Sequence, residues 1–171
     1  MIAAFTAWIM MEGQRADVHA VTAYFVQSPM TADTQIVIST ELRNVGSSTA
    51  HVTEGRVGYQ YSEEGRDALP IVPDYSRVGL YDNNITGMIF PGEVRVGNYY
   101  PMIERKGVMF SQEQLSKLNS GHANFWIYGY LIYRDTFSFL LGPTSIGFCY
   151  SYSAQRLQHC GFEGRNYIYA R

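Results

Sequence analysis

Between Ser145 and Tyr152 the chain alternates without a break. Ile146, Phe148, Tyr150 and Tyr152 fall on one side of an extended strand, and Ser145, Gly147, Cys149 and Ser151 on the other. Successive side chains of extended backbone leave on opposite faces, so a period of two predicts a strand with one buried face. The preceding run, Phe125 to Tyr133, is apolar on both faces, which predicts a central strand covered on each side. Ten of the 29 residues in 124–152 are aromatic. The two runs read as a hairpin that supplies much of the core.

The same period recurs upstream. Val18 to Gln27 is β-like, with Val21, Tyr24, Phe25 and Val26, and Ser28-Pro29 stops it. Thr34 to Arg43 puts Ile36, Ile38, Thr40 and Leu42 on one face, and Asn44 to Ser48 is turn chemistry. Thr49 to Ser62 is extended, with Val57, Tyr59 and Tyr61 on one side. Ile85 to Phe90 is apolar, Pro91-Gly92-Glu93 marks a turn, and Val94 to Tyr100 follows as a strand. Ser111 with Gln114 matches a capping box, predicting one short helix over about 111–119 that ends at Asn119-Ser120-Gly121. A loop at Ala154 to Gly164 and a last short strand at Tyr167 to Ala170 complete the chain. Seven or eight strands at turn-punctuated spacing predict a mostly β protein, an antiparallel two-sheet sandwich. The long connection 63–84 carries charges, prolines and glycines, and a connection of that length is usually functional or mobile.

The first residues break the pattern. Residues 1–17 read as an apolar helix that ends near Gly13 with a polar exit, ahead of a β-sandwich domain at 18–171. As a helix, the apolar stretch 1–11 would span about 16 Å against a hydrocarbon core of about 30 Å, so it does not cross a bilayer alone. Its apolarity all round argues for lipid or protein surroundings. Phe5, Trp8, Ile9 and Met10 are therefore the expected membrane or partner contacts. Arg15 behind them is a weak positive-inside cue for a cytoplasmic domain.

Composition narrows the partners. A formal charge of −2 with scattered basic residues supplies no footprint for nucleic acid. Tyrosine is abundant, with 14 copies, and suits surfaces that are dry at the ring and wet at the hydroxyl. Tyr59, Tyr61, Tyr75, Tyr81, Tyr99 and Tyr100 are the candidate interaction surface, alongside an ordinary role in packing.

Candidate chemistry is sparse. His19, His51, His122 and His159 lack ligand spacing, so no metal or other cofactor is predicted. Cys149 and Cys160 read by default as free thiols in a reducing compartment, with a disulfide as the alternative. Cys149 as a nucleophile has no visible neighbour to lower its pKa. Glu63, Glu64, Asp67, Asp74 and Asp82 lack calcium-loop spacing and read as a solvated loop. Asp135 could close a turn on its own backbone or pair with an arginine from a neighbouring strand. Asn84-Ile85-Thr86 fits a glycosylation acceptor, a pattern that also arises by chance. No nucleotide-binding, serine-hydrolase or zinc-protease motif occurs, and no enzyme is predicted.

Four stretches fall in a familiar order: LRNVGSSTAHV at 42–52, IFPGEVRV at 89–96, YGYLIYRDTFSF at 128–139 and IGFCYSY at 146–152. In these respects the chain resembles, across about residues 18–171, a set of small bacterial membrane proteins in which a short N-terminal membrane helix precedes an immunoglobulin-like β-sandwich. The resemblance implies an immunoglobulin-like sandwich and membrane association, and no catalytic residue. The function expected is a non-enzymatic membrane-associated domain that binds protein, as an accessory subunit of a membrane complex or a homo-oligomer. The alternative is a soluble module that takes a small ligand or glycan through the 63–84 loop.

Overall fold

The structure is a computed structural model, which describes residues 10–27, 29–63, 75, 80–81, 86–103 and 106–160. Two antiparallel sheets pack face to face. The first runs in the order β1 (Val18–Phe25), β2 (Ile38–Asn44), β6 (Val94–Tyr100), β4 (Leu80–Tyr81). The second runs β11 (Arg156–His159), β10 (Thr144–Ser153), β9 (Asn124–Arg134), β3 (Ala50–Ser62), β5 (Gly87–Ile89). A separate small hairpin joins β7 (Met102–Ile103) to β8 (Lys106–Gly107).

The alternation of β10 lands as expected. Phe148, Tyr150 and Tyr152 face the other sheet, while Cys149 faces outward. Strand β9 is central, between β3 and β10, and both its faces are covered. Phe125 and Ile127 point inward with Ile38, Tyr99 and Val57, and Leu131 and Tyr133 meet Val18, Leu42 and Val52 nearer one end. On its outer side Trp126, Tyr128 and Tyr130 form a second apolar layer with Tyr75 and Cys149.

One helix closes the far end of the sandwich. In α1 (Gln112–Ser120) both halves of the capping box form, and Gly121 ends the helix at φ 80°, where a Cβ would be strained. Leu115 and Leu118 bury its apolar side. A single helical turn, α2 (Ser138–Leu141), interrupts the β9–β10 connection, which the hydrophobic pattern leaves as plain loop.

The chain differs from the sequence expectation after β10. Residues Arg156–His159 pair with β10 as β11, inside the stretch expected to be loop. Ala154 and Gln155 turn the chain with φ of 49° and 61°. Two positive-φ central residues make a tight hairpin, but such turns ordinarily carry Asn or Gly. Here docking holds the turn, with the Ala154 N–H bonded to the Leu118 carbonyl at the end of α1. The strand expected at Tyr167 to Ala170 lies outside the described residues.

The core and the loop tips should respond differently to truncation. Leu131→Ala removes a side chain with no exposure from between the sheets and is expected to cost about 2–5 kcal/mol. Leu140→Ala, at an exposed tip, should stay within about 0.5 kcal/mol. Equilibrium denaturation of both variants with urea checks the pair.

Candidate functional site

Four chain segments meet at one end of the sandwich: residues 10–17, the β2–β3 turn, the β5–β6 turn and the β9–β10 connection. Asn44 closes β2 there and is fully buried. Its side-chain oxygen accepts from the backbone N–H of Asp17 and of Gly46, at 3.2 and 3.0 Å. Its amide nitrogen donates to the carbonyls of Ser48 and Ile89, at 2.7 and 3.0 Å. Two donor and two acceptor positions are thus filled. The backbone of Asn44 also pairs with Gly92 and Glu93. Gly46 has to be glycine for space, since a Cβ would lie 2.3 Å from the Arg15 carbonyl oxygen.

Asp135 does the equivalent work for the second sheet. One carboxylate oxygen accepts from Phe137 N–H and from the Ser138 hydroxyl, closing a turn on its own backbone. The other accepts from Arg15 Nε at 3.1 Å and Ala16 N–H at 3.0 Å. Both roles considered from sequence are therefore filled, except that the arginine comes from the segment before β1 and not from a neighbouring strand. The Arg15 guanidinium goes on to donate to the Gly142 carbonyl and the Thr144 hydroxyl. Tyr133 donates to the Ala16 carbonyl and accepts from Val18 N–H. Burial pushes the Asp135 carboxyl up, but the hydrogen bonds from Arg15, Ser138 and Ala16 outweigh it and hold it below the usual carboxylate value. The result is a clamp that fixes residues 15–17 to both sheets.

Around this clamp the tips are apolar. Phe139 is 80% exposed, and Leu140, Phe90, Val45 and Met10 are each more than half exposed. Of the expected membrane or partner contacts, Met10 is described and exposed, whereas Phe5, Trp8 and Ile9 lie outside the described residues. Met10 to Glu12 are helical, a turn follows at Gly13 and Gln14, and Arg15 to Asp17 belong to the sandwich. Among the described residues no helix is long and apolar enough to cross a membrane.

The six candidate tyrosines separate by environment. Tyr59, Tyr75 and Tyr99 are buried, which corrects their assignment to an interaction surface: Tyr59 and Tyr99 fill the inter-sheet core, and Tyr75 covers the outer face of β9. Each ring gains more from dry contact inside the chain than a surface position allows. Tyr61 and Tyr100 are half-buried, and the side chain of Tyr81 lies outside the described residues. Sequence reasoning overlooked instead the outer face of the first sheet. Tyr24 and Val21 on β1 and Val94 and Val96 on β6 are exposed there, beside Glu41 and Arg43. Their alternation with buried neighbours was the available signal.

Cys149 and Cys160 form a disulfide with Cα atoms 5.3 Å apart, which corrects the expectation of free thiols. The β10–β11 hairpin brings them together, with the Cys160 N–H bonded to the Cys149 carbonyl. A cysteine so paired is no nucleophile. Among the described residues no cluster of His, Cys, Asp and Glu could hold a metal ion. At the far end, Phe25, Gln27, Pro29, Met30, Asn119, Tyr152 and Gln155 line a pocket of about 220 Å³. Most of the 63–84 connection lies outside the described residues, Glu63, Tyr75 and the β4 residues apart. The chain matches no protein-family model, and no curated protein matches it.

Two measurements test these contacts. A carboxyl held below its unfolded value of 3.8 stabilises the fold above that pH. That stabilisation is lost as pH falls through the folded value, because the unfolded state there binds more protons. Asp135→Asn should therefore lower stability at neutral pH by roughly 3 kcal/mol and flatten its acid dependence below pH 3.8. Denaturation curves taken from neutral pH into acid read both effects. Reducing the disulfide, which closes a loop with a separation of 11 residues, should cost about 3 kcal/mol in the same assay.

Proposed function

We propose that this chain is a non-enzymatic, membrane-associated β-sandwich of the immunoglobulin-like kind that binds protein, as an accessory subunit of a membrane complex or a homo-oligomer. The clamp carries the reading. Residues 15–17 are bound to both sheets directly behind the apolar stretch 1–11, so whatever holds that stretch also holds the sandwich in a fixed attitude. A flexible linker would suit a merely tethered domain, whereas a fixed mount suits a domain that must present one face to a partner.

The strand order supports the immunoglobulin-like assignment. Taking β1, β2, β3, β4, β6, β9 and β10 as A to G, the sheets read A-B-E-D and G-F-C, with β5 and β11 added at the edges. The disulfide differs from the inter-sheet bridge of antibody domains, since it links β10 to the residue after β11. For the protein-binding face, the exposed Tyr24, Val21, Val94 and Val96 of the first sheet are the best candidates, because the outer face of the second is already covered.

Two features weaken the lean towards the cytoplasm. Disulfides persist in oxidising compartments, and Cys149–Cys160 is one. The charge of Arg15, the cue for a cytoplasmic domain, is taken up by Asp135. The reading accordingly puts the sandwich on an extracytoplasmic face.

A second reading rests on the far-end pocket, where the amides of Gln27, Asn119 and Gln155 stand beside Phe25 and Tyr152. Such a lining suits an uncharged, hydrogen-bonding ligand such as a short glycan, and it moves that alternative away from the 63–84 loop.

Deleting residues 1–12 spares the clamp and should shift the protein from the membrane fraction to the soluble one. Equal partitioning of full-length and trimmed chains would sink the membrane assignment. Val96→Glu should abolish co-purification of a partner from detergent-solubilised membranes while leaving membrane recovery unchanged. Loss of glycan binding on Tyr152→Ala, with Val96→Glu inert, would favour the pocket.

A further inference from the structure

The exposed apolar residues at the clamp end come from separate connections, yet all lie at this end of the sandwich. Phe139 and Leu140 sit on α2, Phe90 at the β5–β6 turn and Val45 at the β2–β3 turn. None of these side chains can donate or accept a hydrogen bond. The most prominent tip is a turn closed by its own backbone: Ser138 N–H bonds the Asp135 carbonyl, Leu140 and Leu141 N–H bond that of Phe137, and Gly142 N–H bonds that of Ser138. The Ser138 hydroxyl and the Asp135 carboxylate are spent on each other and on Arg15. Apolar side chains on a closed turn suit the boundary between headgroups and acyl chains, where the remaining backbone groups still meet polar partners.

The covalent path sets the distance. From Met11 to Arg15 the chain could reach about 14 Å if fully extended. It is shorter than that, because Gln14 N–H bonds the Met11 carbonyl and Arg15 N–H bonds that of Glu12. A bilayer that holds residues 1–11 therefore lies beside these tips.

We infer that this end of the sandwich seats on the bilayer surface, with Phe139 and Leu140 entering the boundary between headgroups and acyl chains. Phe90 and Val45 make the flanking contacts. The inference rests on the membrane association proposed above and deepens it, for it sets the domain upright with α1 and the far-end pocket held away from the lipid. Lipid is preferred over a protein partner because the apolar stretch 1–11 leaves the sandwich at this same end, with Gly13 and Arg15 bonded to the Ser47 turn beside Val45.

The test uses the full chain with phosphatidylcholine vesicles that carry nitroxide-labelled lipid at a shallow acyl position. Phe139→Trp reports the tip and Gln112→Trp, exposed on α1, reports the far end. After subtraction of the wild-type signal, the tryptophan at 139 should be quenched and shifted to the blue on adding vesicles, and the one at 112 unaffected. A vesicle-bound chain whose tryptophan at 139 stays unquenched overturns the inference and leaves the membrane association standing. That holds whether a protein partner or the chain's own residues 1–11 cover the tip. A wild-type chain that fails to co-sediment with vesicles overturns both.

Discussion

The bond between Arg15 and the buried carboxylate of Asp135 is the constraint on which this structure turns. A charge taken out of water is tolerated only when it is paired and its remaining lone pairs are filled. The side chain of Asp135 has no exposure, and it meets that demand with Arg15, Ala16, Phe137 and Ser138 together. Those partners lie on both sides of a gap of 119 or 120 residues. Asn44, equally buried, repeats the arrangement with Asp17, Gly46, Ser48 and Ile89. Loss of any one contact leaves others unsatisfied, so the end of the sandwich holds as a unit.

Several turns far apart in the chain gather at this end. Asn44-Val45-Gly46 and Tyr133-Arg134-Asp135 both bond residues 15–17, and Pro91-Gly92-Glu93 bonds Asn44 from the other side. Together they hold residues 15–17 against both sheets. The two outer faces of the sandwich differ in the same economical way. On the second sheet, Tyr75, the disulfide and the rings of Trp126, Tyr128 and Tyr130 make a closed layer, with Tyr128 lying over Gly58 so closely that a Cβ there would sit 2.6 Å from the ring. The first sheet keeps its valines and Tyr24 open. A closed face, an open face, a clamp at one end and a pocket at the other give the domain a direction.

Much of the fold was legible along the chain because it is written in short periods. The strands β1, β2, β3, β6, β9 and β10, the capping box of α1 and its glycine stop each depend on residues within one or two turns of one another. The site was legible only in parts. Asp135 stood out as a turn former, but its arginine could not be chosen among the others, since nothing local to Asp135 points to Arg15. Candidate tyrosines were misassigned because ring and hydroxyl suit core and surface alike, and only the opposing sheet decides which side is dry.

Sequence alone determined that the chain is mostly β, where its principal strands run, and that its first residues are almost all apolar. Periodicity and capping are local, and composition is indifferent to folding. Tertiary structure decided which face of each sheet is covered, that Cys149 meets Cys160 through a turn whose residues do not advertise it, and that Arg15 closes on Asp135. These contacts join groups whose separation along the chain carries no pattern, and whose pairing is favoured only once the two sheets have excluded water between them.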